Sequence, residues 1–183
     1  MLLRQHIAHG ILHLFGWKAE DRLSDTRQCV LAIAPHTSNW DFVVAKLFGI
    51  ATQRNGKFLI KKDWFFFPLN LFFNAIGGIP VDRSRRDGGL TGQLAEQLKQ
   101  MDACIAITPE GTRKPVRRWK TGFYKIAVQT GVPILLLKLD YGRKTALIDT
   151  MFQPTGDEEA DIRAIRAAFR DVRPCKPENF ICD

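Results

Sequence analysis

The sequence predicts an α/β domain, a mostly parallel central sheet flanked by helices, with an amphipathic helix ahead of it. Three observations carry that expectation. From residue 29 onward, short apolar runs rich in branched residues alternate with helix-length stretches, the pattern that strand–helix–strand units impose. The chain has 183 residues, enough for one domain with a full core, and no repeat, low-complexity tract or long linker divides it. Apolar residues make up 45% and charged residues 25%, the proportions of a folded chain rather than a disordered one.

The elements follow in order. Residues 1–18 read as a helix on which Leu3, Ile7, Ile11, Leu14 and Phe15 form one stripe. His6, His9 and His13 gather opposite it and read as a solvated face rather than a metal site. Arg4 interrupts the stripe. Such a helix either packs on the domain or lies in a membrane interface, with Trp17 and Lys18 at the boundary.

Residues 19–172 read as the main domain. "CVLAIAP", "KFLIKK", "GIPVDR", "ACIAITPEG", "VPILLLKLD" and "TALIDTMFQ" read as strands. Between them, "DFVVAKLFGIATQRN", "WFFFPLNLFFNAIG", "GGLTGQLAEQLKQMD" and "GFYKIAVQTG" fit helices or helical turns. The aromatic run in the second of these either dips into a bilayer, lines a tunnel or packs as a core helix. "DEEADIRAIRAAFRD" is a late amphipathic helix, with acids in its first turn and arginines later as the helix dipole favours. The last two strands, joined through "YGRK", predict an antiparallel hairpin at one side of the sheet. Residues 173–183 read as a loose tail.

The balance of charge is +8, with a pI near 9.6, which predicts attraction to an anionic partner. Cys29, Cys104, Cys175 and Cys182 form no CxxC pair and read as reduced thiols of a cytosolic protein. The N-terminus lacks an uninterrupted apolar core and a small-residue cleavage site, so no secretory signal is expected. "WFFFPLNLFFNAIGGI" contains two asparagines and a proline and falls short of the ~20 apolar residues a membrane span needs.

In open α/β sheets, ligands gather at the carboxyl ends of the strands. Here those ends read "PHTSNWD", "KKD", "VDRSRR" and "PEGTRKPVRR". If His36 precedes a helix whose first turn holds Asp41, the carboxylate can fold back onto the imidazole. It would then fix the tautomer and leave Nε2 free as a general base. Ser38 and Asp41 equally fit a capping box, in which the aspartate only caps the helix. There is no G-x-S-x-G elbow, and no cysteine stands at such a strand end, so a covalent intermediate is not suggested. The proton to be taken is then read as that of a substrate hydroxyl. Gly111 permits a tight turn, and the fork of Arg113 suits a phosphate. Arg83 would stand beside Arg113 if their strands are neighbours, and Lys61 could add a third cation. Phosphate loops of the common nucleotide-binding kinds are absent.

Together these positions resemble the lysophospholipid (glycerophospholipid) acyltransferase family. "HTSNWD", His36 to Asp41, matches its H-x4-D block, and "GGIPVDR", Gly77 to Arg83, matches its second block. Glu110 to Arg113 match E-G-T-R, and Val132-Pro133-Ile134 match V-P-I. "WKTGFYKIA" also looks like the family's segment between the last two blocks, and Lys114 follows E-G-T-R where a serine is common. The resemblance, which runs from about residue 29 to 140, implies a glycerolipid acyltransferase-like fold. It implies acyl transfer from a thioester, acyl-CoA or acyl carrier protein, to a lyso-lipid hydroxyl. The expected product is phosphatidic acid from 1-acyl-sn-glycerol 3-phosphate. His36 would be the base, Asp41 its partner, and Arg83, Glu110, Gly111, Thr112, Arg113 and Lys61 would bind the acceptor. No metal or cofactor is implied. An anionic membrane surface is the expected partner, with the protein held peripherally on the inner face, and no nucleic acid is expected. Another lyso-lipid acceptor, such as an aminolipid hydroxyl, stays open. So does a non-catalytic basic protein that binds anionic lipid or nucleic acid, although that reading leaves His36, Asp41 and Glu110 without a task.

Overall fold

The computed structural model describes residues 2–81 and 89–182. Seven strands form one sheet in the order β1-β7-β6-β2-β5-β3-β4. They are β1 (Lys18–Asp21), β2 (Cys29–Ala34), β3 (Gly56–Lys61), β4 (Gly78–Val81), β5 (Cys104–Ile107), β6 (Ile134–Asp140) and β7 (Thr145–Phe152). From β6 to β4 every pairing is parallel, while β7 pairs antiparallel with β6 as the "YGRK" connection predicts. At the outer edge, β1 runs parallel to β7. Its sequence, "KAED", carries no branched or aromatic signal; backbone pairing with β7 makes it a strand.

The helices are α1 (Leu2–Leu14), α2 (Asn39–Ala51), α3 (Leu69–Ala75), α4 (Gly89–Lys99), α5 (Gly122–Thr130) and α6 (Glu158–Ala167). All six residues of β2 are buried, as befits a central strand of a parallel sheet covered on both faces. Its alternate residues serve two cores. Val30, Ala32 and Ala34 pack with Leu94 and Leu98 of α4, Phe123 and Ile126 of α5 and Ile165 of α6. Leu31 and Ile33 pack with Ala8 and Leu12 of α1 and Val44 and Phe48 of α2.

α1 turns a different face inward from the one its apolar stripe suggests. Ala8 and Leu12 are buried, whereas Leu3, Ile7, Ile11, Leu14 and Phe15 are exposed. The docking face is fixed partly by polar contacts: Gln5 Nε2 donates to Ala51 O at 3.1 Å, and Gln53 Nε2 donates to Gln5 Oε1 at 2.6 Å. The aromatic segment after β3 is broken into a 3-10 turn (Lys62–Trp64) and α3, because Pro68 cannot continue a helix from the preceding residues. No residue of α3 is buried, which sets aside the core-helix alternative for that segment.

The C-terminal segment is bound down rather than loose. Tyr141 N donates to Arg173 O at 2.8 Å, Lys176 N to Thr37 Oγ1 at 3.1 Å, and Cys182 Sγ to Arg166 O at 3.1 Å. Phe180 packs on the α4–α6 core. Among the described residues, no helix is long and apolar enough to cross a membrane.

Candidate active site

The sheet register decides which side chains meet. Ala32 of β2 stands opposite Ile107 of β5, and Ala34 stands opposite Lys138 of β6. The chain segments leaving β5, β2 and β6 therefore emerge side by side at one rim. They carry Glu110, then His36 with Asp41, then Tyr141.

The turn into α2 builds the centre. Ser38 is the N-cap; its Oγ accepts from Trp40 N at 3.2 Å, and a capping box is formed with Asp41. Asp41 Oδ2 accepts from Thr37 N at 2.6 Å and from Ser38 N at 2.7 Å. Folding the carboxylate back in this way also brings Oδ2 to 3.5 Å from His36 Nδ1. The capping reading and the imidazole-facing reading thus describe one carboxylate in one conformation. Asp41 is 1% exposed, and its other oxygen, Oδ1, accepts from the Tyr141 hydroxyl at 2.7 Å. His36 Nδ1 is buried without a hydrogen bond among the described residues, since 3.5 Å exceeds ordinary bond length. Contacts of this kind are often long in a free enzyme and tighten around bound substrate.

Glu110 follows β5 and is 2% exposed. Its Oε1 accepts from the His36 backbone N–H at 2.6 Å, so it clamps the histidine loop from behind. Burial pushes its carboxyl up to about 7, against the pull of the His36 N–H and imidazole. A carboxyl there can hold the loop in either protonation state, because an unprotonated oxygen remains to accept.

Gly111 has φ +65°, and a Cβ there would come 2.7 Å from Lys120 Cδ. Glycine is needed for the turn and for the close passage of the lysine. A cavity of about 820 Å³ opens beside His36, with Phe42, Phe58, Leu94 and Phe123 among its apolar walls and Lys61, Thr112, Arg113 and Lys120 supplying polar groups. Its size suits a substantial organic ligand, and an apolar wall with a few polar groups is the usual make-up of such sites. Lys61 also pairs with Asp63, which offsets part of its charge.

Of the residues selected from the sequence, His36, Asp41, Lys61, Gly111, Thr112 and Arg113 all line this cavity. Glu110 is turned instead to the histidine loop. Arg83 lies outside the described residues, and the strand leading to it is not a neighbour of the one leading to Arg113, because β3 stands between β4 and β5. Tyr141 was missed. "YGRK" reads as a hairpin connection, and only the β2–β6 pairing reveals that its first residue ends level with the H-x4-D turn.

The chain matches the family model described as Acyltransferase over residues 18–137. Among solved structures it is similar to the crystal structure of the 1-acyl-sn-glycerophosphate (LPA) acyltransferase, PlsC, from Thermotoga maritima. That likeness has a TM-score of 0.60 at 17% sequence identity, covering 92% of this chain and 78% of that one. At such an identity it speaks for the fold. No curated protein sequence matches the chain.

Proposed function

The chain belongs to the acyltransferase family, and from that premise we propose that it acylates the free hydroxyl of a lyso-lipid, 1-acyl-sn-glycerol 3-phosphate, from an acyl-CoA or acyl carrier protein thioester. The observation that carries this reading is the position of His36: its Nδ1 faces a buried carboxylate while its ring borders an apolar cavity equipped with Arg113. His36 Nε2 takes the acceptor's proton as the hydroxyl oxygen attacks the thioester carbonyl. An alcohol's pKa lies far above neutral, so the proton leaves only as the carbon–oxygen bond forms. The carbon–sulfur bond then breaks, and the imidazolium returns the proton to the departing thiolate. Asp41 steadies the imidazolium and holds the ring's tautomer. Arg113 offers its fork to the acceptor phosphate, with Arg83 and Lys61 as further cations, while the apolar wall takes an acyl chain.

Attachment to the cytoplasmic face of an anionic membrane is part of the same proposal. The exposed stripe of α1 and the exposed Phe66, Phe67, Leu71 and Phe72 support it, as does the +8 charge. Incubating pure protein with acyl-CoA and a panel of lyso-lipids, while following free thiol, tests the activity. Acceptor-dependent thiol release, fastest with the phosphorylated acceptor, is expected. Binding of lipid without thiol release from any thioester donor would favour a non-catalytic protein instead.

A further inference from the structure

Tyr141 is a half-buried phenol at the end of β6 whose hydroxyl has one carboxylate partner, Asp41 Oδ1 at 2.7 Å. Both its ring and its backbone are held. Trp17 meets it edge-on with centroids 4.8 Å apart, and its backbone N–H is tied to Arg173 O of the C-terminal segment. Asp41 Oδ2 is committed to two backbone N–H groups, and among the described residues the hydroxyl is the donor to Oδ1 that completes the hold on the carboxylate's rotation. Rotation matters, because it is Oδ2 that faces Nδ1 of His36.

We propose that Tyr141 is a positioning residue for acyl transfer: its hydroxyl orients Asp41 toward His36 and sets how readily the pair takes up a proton. This rests on the base role of His36 proposed above. A hydrogen bond donated to a carboxylate favours its ionised form, so removing the donor makes the Asp41–His36 pair hold a proton to higher pH. The other titratable groups facing Asp41 and Tyr141 are Glu110, on the loop after β5, and Cys175, on the C-terminal segment. In a variant confined to the hydroxyl both groups stay in place, and Cys175 loses only its contact with the phenol oxygen.

Tyr141→Phe removes that oxygen and keeps the ring against Trp17. The expected result is a kcat about tenfold lower, KM within about twofold of wild type, and an acid limb of the kcat/KM profile moved up by roughly one pH unit. A merely structural tyrosine would lower thermal stability and leave the acid limb in place. Replacing tyrosine throughout with 3-fluorotyrosine supplies the opposite perturbation, and it decides the matter alone should the phenylalanine variant fail to fold. The chain has two tyrosines, and the other, Tyr124, donates to Asp161 in the core on the opposite face of the sheet. The more acidic phenol is a stronger donor, so the acid limb should move down. An unmoved acid limb in a folded Tyr141→Phe, or in the fluorinated enzyme if that variant does not fold, would overturn the proposal while leaving the base reading intact, provided that His36→Ala is inactive. Wild-type turnover by His36→Ala would overturn both.

Discussion

Two aspartates with buried side chains stand at opposite ends of the sheet, and their surroundings differ. At the amino ends of the parallel strands, Asp21 receives Arg54 Nε on Oδ2 at 2.6 Å and Nη2 on Oδ1 at 2.9 Å. The rest of the guanidinium is spent on Leu23 O at 2.7 Å and Thr26 O at 2.5 Å, with Cys104 Sγ at 3.6 Å. Opposite charges meet, and no donor is left over. At the carboxyl ends, Asp41 holds a turn and a tyrosine, yet the basic nitrogen of His36, 3.5 Å from it, has no hydrogen bond among the described residues. A buried polar atom left unpaired costs stability, and native folds keep such atoms chiefly where function requires them. The first aspartate holds the fold together; the second holds a histidine without consuming it.

The largest effect on that contrast should come from Asp21→Ala. It leaves the Arg54 guanidinium, 3% exposed, without its counter-charge, and should cost about 3–5 kcal/mol in a urea titration. Turnover per folded molecule should be unchanged. A loss under about 1 kcal/mol would mean that the amino-end pair is not the structural site described.

Glu110→Gln sharpens the other side. The folded carboxyl titrates near 7, against an ordinary value of 4.5. Between those values the native state binds more protons than the unfolded chain, so this group lowers stability as pH rises through that window, and its cost is constant above it. Glutamine removes the slope. The variant should gain about 1–3 kcal/mol relative to wild type between pH 5 and 8, read by denaturant melts at each pH. A constant difference across that range would refute the shifted carboxyl.

Arg113→Ala is a smaller test. KM for 1-acyl-sn-glycerol 3-phosphate should rise about tenfold, equivalent to about 1.4 kcal/mol, while an acceptor without phosphate is unaffected. Equal effects on both acceptors would remove the phosphate from the role given to this arginine.

Much of this was legible in the chain. β2, β6 and α5 announce themselves through apolar runs and periodicity, and the histidine and glycine turns fall at strand ends where function collects. What stayed hidden depends on contacts distant in sequence. β1 has no strand signal of its own and exists through pairing with β7. The inward face of α1 follows from where α2 offers room for Ala8 and Leu12, whereas hydrophobic content alone selects a neighbouring face. Glu110 is assigned to the acceptor only through its place in the E-G-T-R block; the adjacency of β2 and β5 turns it onto the His36 backbone. Tyr141 reaches Asp41 across 100 positions of sequence.

The central claim is that the imidazole at the end of β2 takes a proton during acyl transfer and contributes little to the fold. Measuring kcat and the thermal midpoint of His36→Ala side by side tests it most directly. The account predicts a kcat about a thousandfold lower with a midpoint within about 2 °C of wild type. Turnover within about tenfold of wild type from an intact, folded variant would contradict it.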